Sequence, residues 1–124
     1  KNMYHFFDDN LDERSKNYLL TKNELSRALL QNDQLRIVYQ PKVQISSGEI
    51  SGFEALVRWY HPIRGCLSPN DFIYATAGNQ LGYKLNEYVL RRVCSQIIQW
   101  KRIYEKFNWR IAVNISSEQF ADPK

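Results

Sequence analysis

The chain has 124 residues, 44% of them hydrophobic and 14% aromatic, which is enough apolar material for one domain with a real core and excludes a disordered segment. Its formal charge of +4 arises from 17 basic residues scattered along the chain rather than gathered into a tract, so neither DNA nor RNA is expected as a partner. Cys66 and Cys94 fall in no CxxC or Cys/His grouping, which argues against structural zinc or a disulfide framework and for reduced thiols in the cytoplasm, and no apolar run approaches the roughly 18 to 20 residues of a membrane span.

Residues 1 to 11 combine Tyr4, Phe6 and Phe7 with Asp8-Asp9-Asn10 and read as the end of a packed element leading into a helix. From about Leu11 to Gln31 the pattern is helical, with Tyr18, Leu25, Ala28 and Leu29 in one apolar stripe. Thr21 and Glu24 have capping-box spacing, so this segment reads either as one long helix or as two short ones.

Between Leu35 and Ile45, Ile37, Tyr39, Val43 and Ile45 alternate with Val38, Gln40, Lys42 and Gln44, as in a strand. Pro41 cannot donate to a ladder and marks an edge, a bulge or a barrel rim. Ser46-Ser47-Gly48-Glu49 has turn chemistry, and Ile50 to His61 follows as the second strand of an antiparallel hairpin.

Alternation along this second strand puts Phe53, Ala55, Val57 and Trp59 on one face and Glu54, Leu56 and Arg58 on the other. Glu54 and Arg58 stand about 13 Å apart along that face, too far for an ion pair but suited to gripping two parts of one ligand. A charge in an apolar strand must be paired, hydrated or bound to a metal. Across the hairpin, Gln40 falls near Glu54 or Arg58, depending on register.

Ile63 to Leu67 reads as a loop, and Ser68-Pro69-Asn70-Asp71 as a helix start with a capping serine, a proline at the first helical position and an acid in the first turn. Gly78 and Gly82 bracket a break. A helix from about Lys84 to Phe107 carries Leu85, Val89, Val93, Ile97, Trp100, Tyr104 and Phe107 on one stripe. Trp109 to Ser116 is a further strand in which Asn114 is a polar group near the downstream end. The order is that of an α/β fold whose long helical crossover requires a parallel strand pair, and three strands with helices on one side form an unfinished sheet. Taken singly, Glu54 reads as a paired structural acid, Arg58 as a rim ion-pair partner and Asn114 as a satisfied buried amide. His61 reads as stacking or capping a loop beside Pro62.

Taken together, Tyr39-Gln40-Pro41, Phe53-Glu54-Ala55-Leu56-Val57-Arg58-Trp59, His61-Pro62, Pro69-Asn70-Asp71-Phe72-Ile73 and Val113-Asn114-Ile115-Ser116 resemble the EAL family of cyclic di-GMP phosphodiesterases. Residues 23 to 124 then correspond to the N-terminal portion of an EAL domain. Residues 1 to 22 form a linker in which Tyr4 to Arg14 resembles the last strand and exit helix of a GGDEF domain. The resemblance implies a modified TIM barrel with an antiparallel first strand, cut short after about the third strand. It further implies hydrolysis of cyclic di-GMP to linear pGpG with Mg²⁺ or Mn²⁺. Glu54 would be a catalytic residue and metal ligand, Asn114 a second ligand, Arg58 a contact to a substrate phosphate, and Gln40 and Leu56 part of the nucleotide pocket.

The family's later acidic ligands and catalytic lysine have no counterpart in these residues, so the 124-residue chain is expected to be inactive alone and to form homo-oligomers through its unfinished sheet, by exchange of terminal elements. The alternatives are a non-catalytic cyclic di-GMP receptor and an interaction scaffold. One local departure is Ala77, where the family usually has an acid, which bears on packing rather than chemistry.

Overall fold

The structure, a computed structural model, describes residues 2–31 and 33–113. Helix α1 spans Asn2–Leu30 without interruption. The strand expected from Tyr4 onwards is therefore not formed, and of the two readings open at Thr21 the single long helix is the one adopted. With neither Gly nor Pro in the segment, nothing stops a helix once it has nucleated. Thr21 is buried and its hydroxyl lies 2.9 Å from the Tyr74 hydroxyl, so the side chain serves a tertiary contact in place of a cap. Leu25 and Ala28, on the predicted stripe, are completely buried.

Strands β1, Leu35–Val43, and β2, Ile50–His61, form the antiparallel hairpin. Its turn closes with the Gly48 amide donating to Gln44 O at 2.7 Å, and Gly48 takes a φ of 73°, which a side chain would strain. The register slips between Lys42 and Val43, one residue beyond Pro41. A short strand β3, Gly65–Leu67, folds back antiparallel onto Trp59–His61. The sequence pattern predicts a loop here, and the structure forms a strand instead. A local side-chain contact decides it: His61 Nδ1 accepts the amides of Ile63 and Arg64 at 3.1 Å each and so shapes the turn that returns the chain.

Ser68 and Asp71 start helix α2, Pro69–Phe72, as their spacing predicts: Asp71 Oδ2 accepts the Ser68 amide at 2.9 Å. A 3₁₀ turn over Ile73–Thr76 follows, and Gly78 turns the chain at a φ of 70°. Helix α3 runs Leu81–Ile103, earlier at both ends than the stripe suggested. Asn79 Oδ1 accepts the Leu81 amide at 2.8 Å and starts the helix there, leaving Gly82 buried inside it. At the other end Phe107 folds back, its ring 5.6 Å from Trp100 and 5.4 Å from Trp109, and leads into β4, Arg110–Val113.

β4 pairs parallel with Gly52–Ala55 of β2, as the helical crossover requires. Phe53 pairs with Pro41 on one edge and Ile111 on the other, while Trp59 pairs with Leu35 and Leu67, so β3 and β4 share one edge of β2. The core lies between one sheet face and the helices. Trp59 and Phe72 meet edge to face at 5.3 Å inside it, with Leu25, Leu35, Leu81, Leu85, Val89 and Val93 around them. No helix among the described residues is long and apolar enough to cross a membrane.

Candidate functional site

Alternation along β2 is realised as predicted: Ala55, Trp59 and His61 are buried on the helix-covered face, and Glu54, Leu56 and Arg58 sit half-buried on the opposite, inner face. The hairpin register settles the neighbourhood that the sequence left open. Gln40 is directly opposite Glu54, Val38 opposite Leu56, and Arg36 opposite Arg58. Directly opposed side chains in an antiparallel pair share a face, with Cβ atoms about 4.5–5.5 Å apart. The inner face thus carries an amide and a carboxylate at one level, two aliphatic groups at the next, and two guanidinium groups at the third.

From the other edge Ala112 stands level with Glu54. Asn114 lies outside the described residues. Of the expected site residues, the fold gathers Gln40, Glu54, Leu56 and Arg58 on one surface. Arg36 was not singled out from the sequence. It shares the alternation phase of Val38 and Gln40, but only the register shows that it faces Arg58.

Glu54 has no hydrogen-bond or ion-pair partner among the described residues. A half-buried, unpaired carboxylate of this kind suits a hard divalent cation, which prefers oxygen ligands. Among the described residues no group of three or more His, Cys, Asp or Glu side chains converges to hold a metal. Arg58 donates from Nη1 to Val57 O at 2.9 Å. Arg36 lies over the Tyr60 ring, 5.2 Å from its centroid. Beside Leu56 a cleft of about 280 Å³ opens between β2 and the helices, with Pro69, Asn70 and Asn86 on its wall, and the Asn86 Nδ2 group is buried without a partner. Cys66 and Cys94 are both free thiols.

Ala77, where an acid was expected, lies in a local network. The Tyr18 hydroxyl donates to Ala77 O at 3.0 Å and Asn79 Nδ2 donates to Ala75 O at 2.8 Å, tying α1 to the segment before α3 by backbone carbonyls rather than by a carboxylate.

Comparison with known proteins identifies the family and the fold. The EAL domain family matches residues 22–124. The cyclic di-GMP phosphodiesterase PdeR of Escherichia coli (strain K12) is 40% identical over 116 residues, 94% of this chain and 17% of PdeR. The bifunctional diguanylate cyclase/cyclic di-GMP phosphodiesterase MucR of Pseudomonas aeruginosa is 36% identical over 121 residues, 98% of this chain and 17% of MucR. Among solved structures, the PaMucR phosphodiesterase in complex with c-di-GMP superposes with a TM-score of 0.73 at 36% identity, covering 82% of this chain and 41% of that one. The EAL enzyme Bd1971 in its cAMP- and cyclic-di-GMP-bound form gives a TM-score of 0.73 at 25% identity over 89% of this chain and 31% of that one. The chain spans only 17% of the length of the two curated relatives named here. Its α/β architecture, with an antiparallel hairpin leading into a parallel crossover, is that of part of a TIM-barrel-like domain. By sequence and fold alike, the chain belongs to the EAL domain family.

Proposed function

We propose that the protein carrying this chain is a metal-dependent phosphodiesterase that hydrolyses one phosphodiester bond of cyclic di-GMP to give linear pGpG. The observation that carries this reading is the inner face, where Glu54 stands opposite Gln40 and shares its surface with Arg58. The two relatives named as cyclic di-GMP phosphodiesterases support it. A bound Mg²⁺ or Mn²⁺ would polarise the phosphoryl group and lower the pKa of a bound water. Glu54 would hold that ion, with Asn114 as a second ligand. The Arg58 guanidinium presents planar paired donors to a phosphate. Gln40 offers amide donors and acceptors to a base edge, and Leu56 with Val38 opposite it supplies an apolar wall on the same face.

One matched carboxylate does not make a complete ligand set, so the 124-residue chain by itself is inactive on this reading. Its open inner face, with Val38 exposed, favours association with a second copy. The deciding experiment incubates the full-length protein with cyclic di-GMP and Mg²⁺ and follows pGpG by chromatography. Product from wild type and none from Glu54→Ala is the expected result. Tight binding without any turnover in wild type would establish a receptor and sink the hydrolase reading.

A further inference from the structure

The roles above leave Arg36 unused, yet its place is unusual. It stands directly opposite Arg58, so two positive charges face each other on one sheet surface. Like charges in that relation destabilise a hairpin. Among the described residues no carboxylate pairs with either of them. The arrangement therefore lacks an anion.

Both side chains are held for one. Arg36 is exposed but rests over the Tyr60 ring at 5.2 Å, which fixes the plane of the guanidinium. Arg58 uses Nη1 on the Val57 carbonyl at 2.9 Å and keeps its remaining donors for another acceptor. The level below is apolar, with Val38 opposite Leu56, and it separates the arginine pair from the Gln40 and Glu54 level. A nucleotide laid on this face would meet a carboxylate and an amide at one end, aliphatic surface in the middle and two guanidinium groups at the other.

We infer that Arg36 is a substrate-binding residue that closes with Arg58 on a single phosphate of the cyclic dinucleotide. This rests on the proposed function. Two forks from directly opposed positions can reach one phosphate, and each contributes charge-assisted hydrogen bonds. Arg36 lies at the strand end remote from Glu54, so it holds substrate and transition state alike. Its loss raises KM and leaves kcat unchanged.

The test compares Arg36→Gln, Arg36→Lys, Arg58→Gln and the double Gln variant in the full-length protein, with cyclic di-GMP as the probe. Arg36→Gln is expected to raise KM about tenfold with kcat within about twofold, and Arg36→Lys to recover part of the loss. The thermal midpoint of Arg36→Gln should not fall, because an opposed like charge has been removed. The double variant should lose less than the product of the two single effects, as expected of residues sharing one phosphate. An Arg36→Gln enzyme with wild-type KM, or a double variant showing the full product, overturns the clamp while leaving the phosphodiesterase reading intact. A wild-type protein that neither binds nor cleaves cyclic di-GMP overturns that reading, and the clamp with it.

Discussion

Gln40 and Glu54 occupy directly opposed positions in the β1–β2 hairpin, so an amide and an unpaired carboxylate share the inner face at one height. Because no described residue neutralises or hydrogen-bonds Glu54, its carboxylate adds nothing to the stability of the fold. Glu54→Gln should therefore separate activity from stability. Turnover of cyclic di-GMP by the full-length protein is expected to fall by more than about 100-fold, with a thermal midpoint equal to or above that of wild type. Initial rates and a melting curve on the same preparation check both halves. A large drop in midpoint would show that Glu54 is structural.

Gly52 pairs with Arg110 at the start of β4. A Cβ at that position would stand 2.6 Å from the Arg110 carbonyl oxygen, which is backbone and cannot step aside. Gly52→Ala should push the parallel pair apart and cost about 2 kcal/mol or more, seen as a lower urea midpoint. Gly48→Ala is the contrasting case. It meets nothing within 4 Å but must hold a φ of 73°, which costs about 1 kcal/mol. If the two substitutions cost the same, the close approach at Gly52 is not what the glycine is for.

Tyr39 packs edge to face on Trp100 at 4.8 Å, and burial raises its hydroxyl above the ordinary value of 10.0, only partly opposed by the nearby Arg92 charge. The unfolded chain releases this proton before the folded chain does. The resulting stabilisation is fully present below about pH 10 and is lost as pH rises through the folded value. Tyr39→Phe cannot ionise, so its stability should decline less steeply than that of wild type above pH 10. Urea midpoints between pH 8 and pH 11 (roughly the range that brackets the ordinary tyrosine value) read the difference. Parallel curves for the two proteins would remove Tyr39 as the cause.

Much of this site is legible in the residues because period-two alternation is local. It alone assigns Glu54, Leu56 and Arg58 to one face and Ala55 and Trp59 to the other, and the fold agrees. Pro41 likewise announces the slip after Lys42. Periodicity carries neither strand register nor the contacts of polar side chains with nearby backbone. Arg36 gains meaning only from the register that sets it against Arg58, and register depends on the whole hairpin. Gly65–Leu67 pairs as a strand because His61 collects the Ile63 and Arg64 amides, a contact that no periodicity announces. Gly82 looks like a breaker, yet Asn79 starts α3 before it and the helix carries it into the core.

His61 makes the last prediction, since it does three jobs at once. Its ring lies 5.2 Å from Trp59, Nδ1 accepts two backbone amides, and Nε2 stands 2.9 Å from Glu24 Oε1 on α1. His61→Phe keeps the ring but leaves the Ile63 and Arg64 amides without their acceptor and Glu24 without its partner, and should cost about 2 kcal/mol. His61→Asn restores one acceptor near the Nδ1 position but loses ring packing in the core. It should preserve the turn better than it preserves stability. Amide hydrogen exchange separates these effects: protection at Ile63 and Arg64 is expected to collapse in His61→Phe and to survive in part in His61→Asn. Unchanged protection in His61→Phe would mean that pairing of β3 with β2, rather than His61, holds the turn. In that case the imidazole would matter only for joining α1 to the end of β2, and Glu24→Met, which keeps the length but removes the acceptor for Nε2, should then reproduce the whole loss of stability.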